Sequence, residues 1–243
     1  MSGHSKWATT KHKKAVIDSK RAKLFTKAAK LVTIAARDGH SGDPAMNPGL
    51  RLAIDNAKAI SMPKDNIDRA ISRGVGGAEG GAVLEEIIYE AYAPGGVALI
   101  IECLSDNRNR ALGEVKAVLH KVGGSLANSG SVSYLFKKIG QIIIDEAKND
   151  DKGENLEMKI IDSGADDFEK DENIYVVTTA YSNLNSTKNK LQESGINVDS
   201  AEFARIPNAY NEVPEDKKEQ IEKLLNDLDD LDDVSNVYSN ANL

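Results

Sequence analysis

This 243-residue chain holds one cysteine, Cys103, one tryptophan, four histidines and only 5% aromatic residues, so it has little with which to staple, ligate or stack. A lone cysteine excludes an internal disulfide framework and fits a reducing compartment. His4, His12, His40 and His120 do not combine with Cys103 in any metal-ligand spacing, so no metal site is expected. No apolar run approaches the roughly 18 residues of a spanning helix, and Met1–Trp7 lacks the apolar stretch of a signal peptide. The expected location is therefore cytoplasmic. The chain also lacks a Gly-x-Ser-x-Gly nucleophile turn, and Gly74-Val75-Gly76-Gly77 has neither a preceding strand nor the following Lys-Ser/Thr of a phosphate loop. Neither a catalytic residue nor a cofactor is expected, and the chain reads as a non-enzyme.

What the chain does have is charge, unevenly placed. Residues 1–30 carry nine Lys or Arg against Asp18 alone, in a chain of net charge −7. Through Arg73 the balance is 15 basic to 6 acidic residues, or +9; the remainder, at 16 to 32, stands at −16. One end attracts a polyanion and the rest repels it, because phosphate affinity comes from Lys and Arg displacing condensed counterions.

Residues 15–37 read as one long helix at about 100° per residue. Ile17, Leu24, Ala28, Leu31, Val32 and Ala35 share a sector, and Lys13, Lys20, Lys23, Lys27, Lys30 and Arg37 fill the neighbouring one. A second helix starts at Asn47-Pro48, with the Asn as cap and Pro at the first helical position. Pro63 opens a third, with Gly74 as its stop. Five glycines between Gly74 and Gly81, where the charge changes sign, mark a flexible boundary.

Beyond it, 86–92 and 97–104 read as strands joined by Ala93-Pro94-Gly95-Gly96, followed by a helix over 108–122 and a strand at 132–136. From Ile139 the order strand, helix, strand, strand, helix, strand gives the ferredoxin-like split βαβ pattern. Flanking segments complete a second such set, with a strand near 207–212, a helix over 215–231 and a strand at 234–238. The expected fold is a multi-domain α+β chain: a basic three-helix domain over 1–75, a Gly-rich linker over 76–82, an α/β domain over 83–136 and 206–243, and a second α/β module inserted over 137–205.

The candidate nucleic-acid residues are Lys6, Trp7, Lys11, Lys13, Lys14, Lys20, Lys23, Lys27 and Lys30. Cations can pair phosphates while an interleaved ring stacks on unpaired bases. Reversing the charge of Lys20, Lys23, Lys27 and Lys30 is expected to spare the fold, since these positions lie off the apolar sector. Asn107, Arg108 and Arg110, at a strand-to-helix junction, form a candidate anion site; the competing reading has Asp106 or Asn107 capping the helix. The acidic run Asp229-Asp230-Leu231-Asp232-Asp233 reads as a solvated face, with polyanion mimicry or attraction of a basic protein as the alternative.

Several separate motifs then coincide in order: Ser2-Gly3-His4-Ser5-Lys6-Trp7, Leu24-Phe25-Thr26-Lys27, Asn47-Pro48-Gly49-Leu50-Arg51-Leu52-Ala53-Ile54, Met62-Pro63-Lys64-Asp65-Asn66-Ile67, Pro94-Gly95-Gly96-Val97-Ala98 and Ser105-Asp106-Asn107-Arg108-Asn109-Arg110. Together they resemble the YebC/PmpR family, whose mitochondrial relative is a translational activator of cytochrome c oxidase. The resemblance implies a helical N-terminal domain followed by two α/β domains. It also implies a role without catalysis, either as a DNA-binding transcriptional regulator or as a ribosome-associated factor that contacts ribosomal or transfer RNA and assists translation of proline-rich stretches. The chain departs from the family pattern at Ala91 and Ala93, where glycines are usual, and at Tyr134, where Trp is common.

Overall fold

The computed structural model describes residues 14–76 and 83–243, with side chains from residue 21 onward. Three helices come first: α1 (Lys14–Asp38), α2 (Pro48–Ala59) and α3 (Lys64–Val75). Asn47 shapes the α1–α2 connection from a buried position. Its Oδ1 accepts from the Leu50 N–H at 2.9 Å, capping α2, while its Nδ2 donates to the Ala35 carbonyl at 2.8 Å and to Ser41 at 3.2 Å. Val32 and Ala36 of α1 close on Leu50, Ile54 and Ala57 of α2 and on Ile67 and Ala70 of α3. Pro63 stands one residue before the helix, as its N-cap.

Gly74 lies inside α3 rather than stopping it, since the helix runs on to Val75. A Cβ at this glycine would stand 2.4 Å from the Thr33 carbonyl oxygen and 2.6 Å from the Ala36 Cβ. The missing side chain therefore permits the close approach of α3 to α1, and the Thr33 hydroxyl donates across the same crossing to the Ala70 carbonyl at 3.1 Å.

The second part is a four-stranded antiparallel sheet built from β1 (Glu85–Ala93), β2 (Val97–Ser105), β3 (Ser125–Leu126) and β9 (Val234–Ser239), in the order β3-β1-β2-β9. Its hairpin turns through Pro94–Gly96, where Gly95 and Gly96 take φ of 80° and 76°, a region that suits residues without a Cβ. Helices α4 (Arg108–Lys121) and α7 (Glu215–Asp229) lay Val115, Leu119, Ile221, Leu224 and Leu228 on Leu99 and Ile101 of one sheet face.

The third part holds β4 (Phe136–Asp145), α5 (Glu154–Asp162), β5 (Asp167–Asp171), β6 (Ile174–Ala180), α6 (Leu184–Glu193) and β7 (Ser200–Pro207). The sheet order β5-β6-β4-β7, antiparallel throughout, is the ferredoxin-like order. Its helices cover Ile142, Ile144 and Val177. Ala98, Ile100 and Tyr238 of the first sheet meet Ile139 and Ala204 of the second in a shared apolar cluster.

Two expected strands are placed differently. Residues 133–135 form a single 3-10 turn, and the edge strand is β3 instead. The cause is Glu90, a buried carboxylate that accepts from the backbone N–H of Gly130 (2.7 Å), Val132 (2.6 Å) and Ser133 (3.1 Å). Donors spent on a side chain cannot build a ladder. The segment near 207–212 contributes only β8 (Asn211–Glu212), which pairs in parallel with β10 (Ala241–Asn242) outside the main sheet. Its place beside β2 belongs to β1, so the first sheet draws its third ferredoxin-like position from the front of the chain.

Replacing Gly74 with Ala is expected to lower stability by about 1–3 kcal/mol, because an inserted methyl group must push two helices apart. Denaturant unfolding measures it, and an unchanged midpoint would mean that α1 and α3 do not approach as closely as described.

Candidate nucleic-acid interface

The basic face of α1 has a spacing that decides its partners. Lys23, Lys27, Lys30, Ile34 and Arg37 recur at intervals of four, three, four and three, which aligns them on one side of a helix. This stripe faces the acidic half of the same chain. The Lys23 ammonium donates to the Asp230 carbonyl at 3.0 Å, and that of Lys27 to the Asp229 carbonyl and, at 3.3 Å, to the Asp229 carboxylate. Lys30 donates to the Asp232 carbonyl at 2.8 Å and to Asp233 Oδ1 at 2.7 Å. Ile34 is buried, and the Arg37 guanidinium reaches the Leu84 carbonyl just before β1.

The attraction follows from the end of α7. A helix C-terminus leaves its last carbonyls without intrahelical donors and carries a partial negative charge, and cations placed there are stabilising. The last turn of α7 has no basic residue of its own, ends on Asp229 and runs into Asp230, Asp232 and Asp233. Lysines from α1 supply the missing cap. The run is thus no solvated face, since Asp233 is only 3% exposed.

Asp233 gathers the second group of donors. Arg110 approaches it with Nε at 3.0 Å and Nη2 at 2.8 Å from Oδ2, and the Ser105 hydroxyl donates to the same oxygen at 2.7 Å. Burial alone would push its carboxyl up, but the hydrogen bonds from Lys30, Ser105 and Arg110 outweigh burial and hold it below the usual carboxylate range. The Cys103 thiol is pushed up to about 12 by burial, with the Asp233 charge adding to it, which leaves it an unreactive core group.

At the strand-to-helix junction, the Asn107 side chain accepts from the Arg110 N–H at 3.0 Å and caps α4. Arg110 is engaged by Asp233 and Asp106, while Arg108 is exposed. The capping geometry anticipated as the alternative is the one observed. Lys6, Trp7, Lys11 and Lys13 lie outside the described residues; Lys14 and Lys20 lie on α1, before the described side chains begin. Arg21, absent from the sequence-based candidates, is exposed on α1 with its guanidinium over the Phe25 ring.

The helical part is also fixed to the third part. The Asn56 side chain behaves as a short strand against the free edge of β7, donating to the Ala201 carbonyl at 2.7 Å and accepting from its N–H at 3.1 Å. Asp55 pairs with the buried Lys188 at 2.6 Å, and Leu52 enters the core beneath α5 and α6. Sequence reasoning had no signal for Asn56, because a polar residue on an exposed helix face looks the same whether or not a strand edge awaits it.

Because the Asp233 carboxyl is lowered in the folded protein, its contribution is present above the unfolded value near pH 4 and is lost as pH falls through the folded value. Asp233→Asn is expected to cost about 1.5–3 kcal/mol at pH 7, the range for hydrogen bonds to a charged group. It should also flatten the loss of stability as pH falls below about 4. Parallel acid limbs in the two proteins would remove Asp233 from this role.

Two family models match the sequence: the TACO1/YebC protein N-terminal domain over residues 5–77 and the TACO1/YebC second and third domain over residues 84–241. A probable transcriptional regulatory protein of Bifidobacterium animalis is 52% identical over 240 residues, covering 99% of this chain and 94% of the relative. Another from Thermobifida fusca is 47% identical over 243 residues, covering 100% and 96%. The crystal structure of a conserved hypothetical protein from Aquifex aeolicus superimposes with a TM-score of 0.88 at 40% identity, covering 94% of this chain and 93% of that one. With both of its family models matched and its fold shared, this chain belongs to the TACO1/YebC family.

Proposed function

We propose that this protein is a non-enzymatic regulator of gene expression that binds nucleic acid through the N-terminal end of its basic segment. The observation that supports this reading most is the division of the basic stripe. From Lys27 to Arg37, α1 is half-buried or buried apart from Leu31, whereas Arg21, Ala22, Lys23 and Thr26 are exposed. The half of the stripe nearest the acidic modules is occupied by aspartates. The cations assigned to phosphate in this reading are Lys6, Lys11, Lys13, Lys14, Lys20 and Arg21, with Trp7 among them to stack on a base. In this reading Lys23, Lys27 and Lys30 aim the segment rather than carry its affinity.

The names of the relatives support transcriptional control, and DNA is the first partner to test. The geometry of α1 gives specific weight to the second reading, an RNA-bound translation factor. A recognition helix lies in the major groove along an exposed face, and base edges are read chiefly by Arg, Asn and Gln. Here α1 is enclosed past residue 27 and its cations are mostly lysines. That arrangement suits contact with phosphates and with RNA shape better than base reading.

Six phosphate contacts give an expected slope of about −4 to −5 for log affinity against log salt, at roughly 0.7 to 0.9 per contact. Titrations of duplex DNA and structured RNA between 50 and 200 mM salt, values within the usual range for this test, measure it; a flat response would take the N-terminal cations out of the mechanism. Crosslinking in cells, with sequencing of both bound DNA and bound RNA, decides between the readings. Recovery of promoter DNA supports the first, and recovery of ribosomal or transfer RNA the second.

A further inference from the structure

At one edge of the second sheet, a lysine with no ion pair among the described residues meets two exposed rings. Five lysines of the acidic half of the chain, Lys148, Lys159, Lys170, Lys188 and Lys218, each stand within 4.0 Å of a carboxylate. Lys137 and Lys138 at the start of β4 are exposed and have no ion pair among the described residues. For Lys138 the register explains why. Lys138 lies opposite Arg205 and Gly140 opposite Phe203, so these positions share one face of the ladder, while Glu202, opposite Gln141, belongs to the other. The carboxylate of Glu102 is taken by Arg205 at 2.9 Å.

On that same face Tyr181, just after β6, stacks on Phe203 of β7 with ring centroids 4.2 Å apart and planes inclined by 27°. Both rings are well exposed, at 47% and 39%. The Lys138 ammonium stands 6.0 Å from the Tyr181 centroid, at the outer limit of a cation–π contact, and is therefore loosely held. Two exposed, stacked rings beside a loosely held ammonium suit a flat π system carrying a negative charge. A single-stranded nucleotide has both.

We propose that Tyr181, Phe203 and Lys138 form a second contact for single-stranded nucleic acid, taking one unpaired base onto the two-ring stack and its phosphate onto Lys138. A base added to a pair that is already ordered extends an existing stack, and such stacking is tolerant of base identity. The proposal rests on the reading of the protein as a nucleic-acid binder. It also runs against the charge argument from sequence, by which the part of the chain beyond Arg73 repels a polyanion.

The test uses the full-length protein and two labelled probes of equal length, a single-stranded oligoadenylate and a duplex, with oligodeoxyadenylate run in parallel. Tyr181→Ala combined with Phe203→Ala is expected to weaken single-strand binding about 5- to 100-fold, the range for losing one stacked base, and to change duplex binding less than about twofold. Tyr181→Phe should retain affinity, which separates stacking from a folding defect, and Lys138→Gln should lower the single-strand salt slope by about 0.7. A loss on either single-stranded probe supports the contact and identifies the sugar it accepts. Unchanged single-strand binding in the double variant, or an equal loss on the duplex, overturns it. A parent protein that binds the duplex but neither single strand overturns this proposal alone, and one that binds no probe overturns the nucleic-acid reading as well.

Discussion

The attachment of a basic helix to the acidic end of another helix governs the rest of this molecule. Lys23, Lys27 and Lys30 of α1 reach carbonyls and carboxylates at and just beyond the C-terminal end of α7, and Lys30 completes the shell around Asp233 with Ser105 and Arg110. Lys27 and Asp229 are each nearly nine-tenths buried in this contact, which separates it from the exposed ion pairs that contribute little. Burying such groups is costly, and their pairing mainly offsets that cost; removing one partner exposes the full penalty. The contact therefore acts as a register device, fixing where α1 lies more than adding net stability.

A chain divided into +9 and −16 parts would be expected to use its positive part for a partner and its negative part for solubility. Here some of each is used on the other. The consequence is directional: α1 is anchored at its C-terminal end by aspartates, by Ile34 and by Arg37, while Asn56 and Lys188 secure the neighbouring helix to β7 and α6. On the proposed reading, the task of meeting a phosphate backbone falls to the cations that precede this anchored stretch of α1.

Much of the architecture was legible because local chemistry and global fold agree. Asn47-Pro48 announced a capped helix, Pro94-Gly95-Gly96 a hairpin, and the alternation from Ile139 onward a ferredoxin-like module, each enforced by residues only a few positions apart. The failures share a different cause. Residues 132–136 alternate like a strand, yet Glu90, some forty positions away, captures their N–H groups. Gly74 looked like a helix stop because its other use, admitting the Thr33 carbonyl of α1, depends on a neighbour that propensity does not see. The acidic run looked solvated for the same reason. One signal was available: the 4-3-4-3 recurrence of cations on α1 contains Ile34, and an apolar residue within a basic stripe is what a docked face needs and an open face does not. At the candidate site, the capping role of Asn107 was readable from its position alone, whereas the pairing of Arg110 with Asp233 required the fold.

The central claim is that the two ends of the basic stripe do different work. It is tested most directly by measuring the salt dependence of nucleic-acid binding, alongside unfolding, for two variants of the full chain. Lys13→Gln with Lys14→Gln and Lys20→Gln should weaken the slope by about two to three units while leaving the unfolding midpoint nearly unchanged. Lys27→Gln with Lys30→Gln should lower the midpoint and leave the slope as it was. If the second pair instead carries the slope and its loss costs no stability, the aspartates after α7 do not hold α1, and the account is wrong.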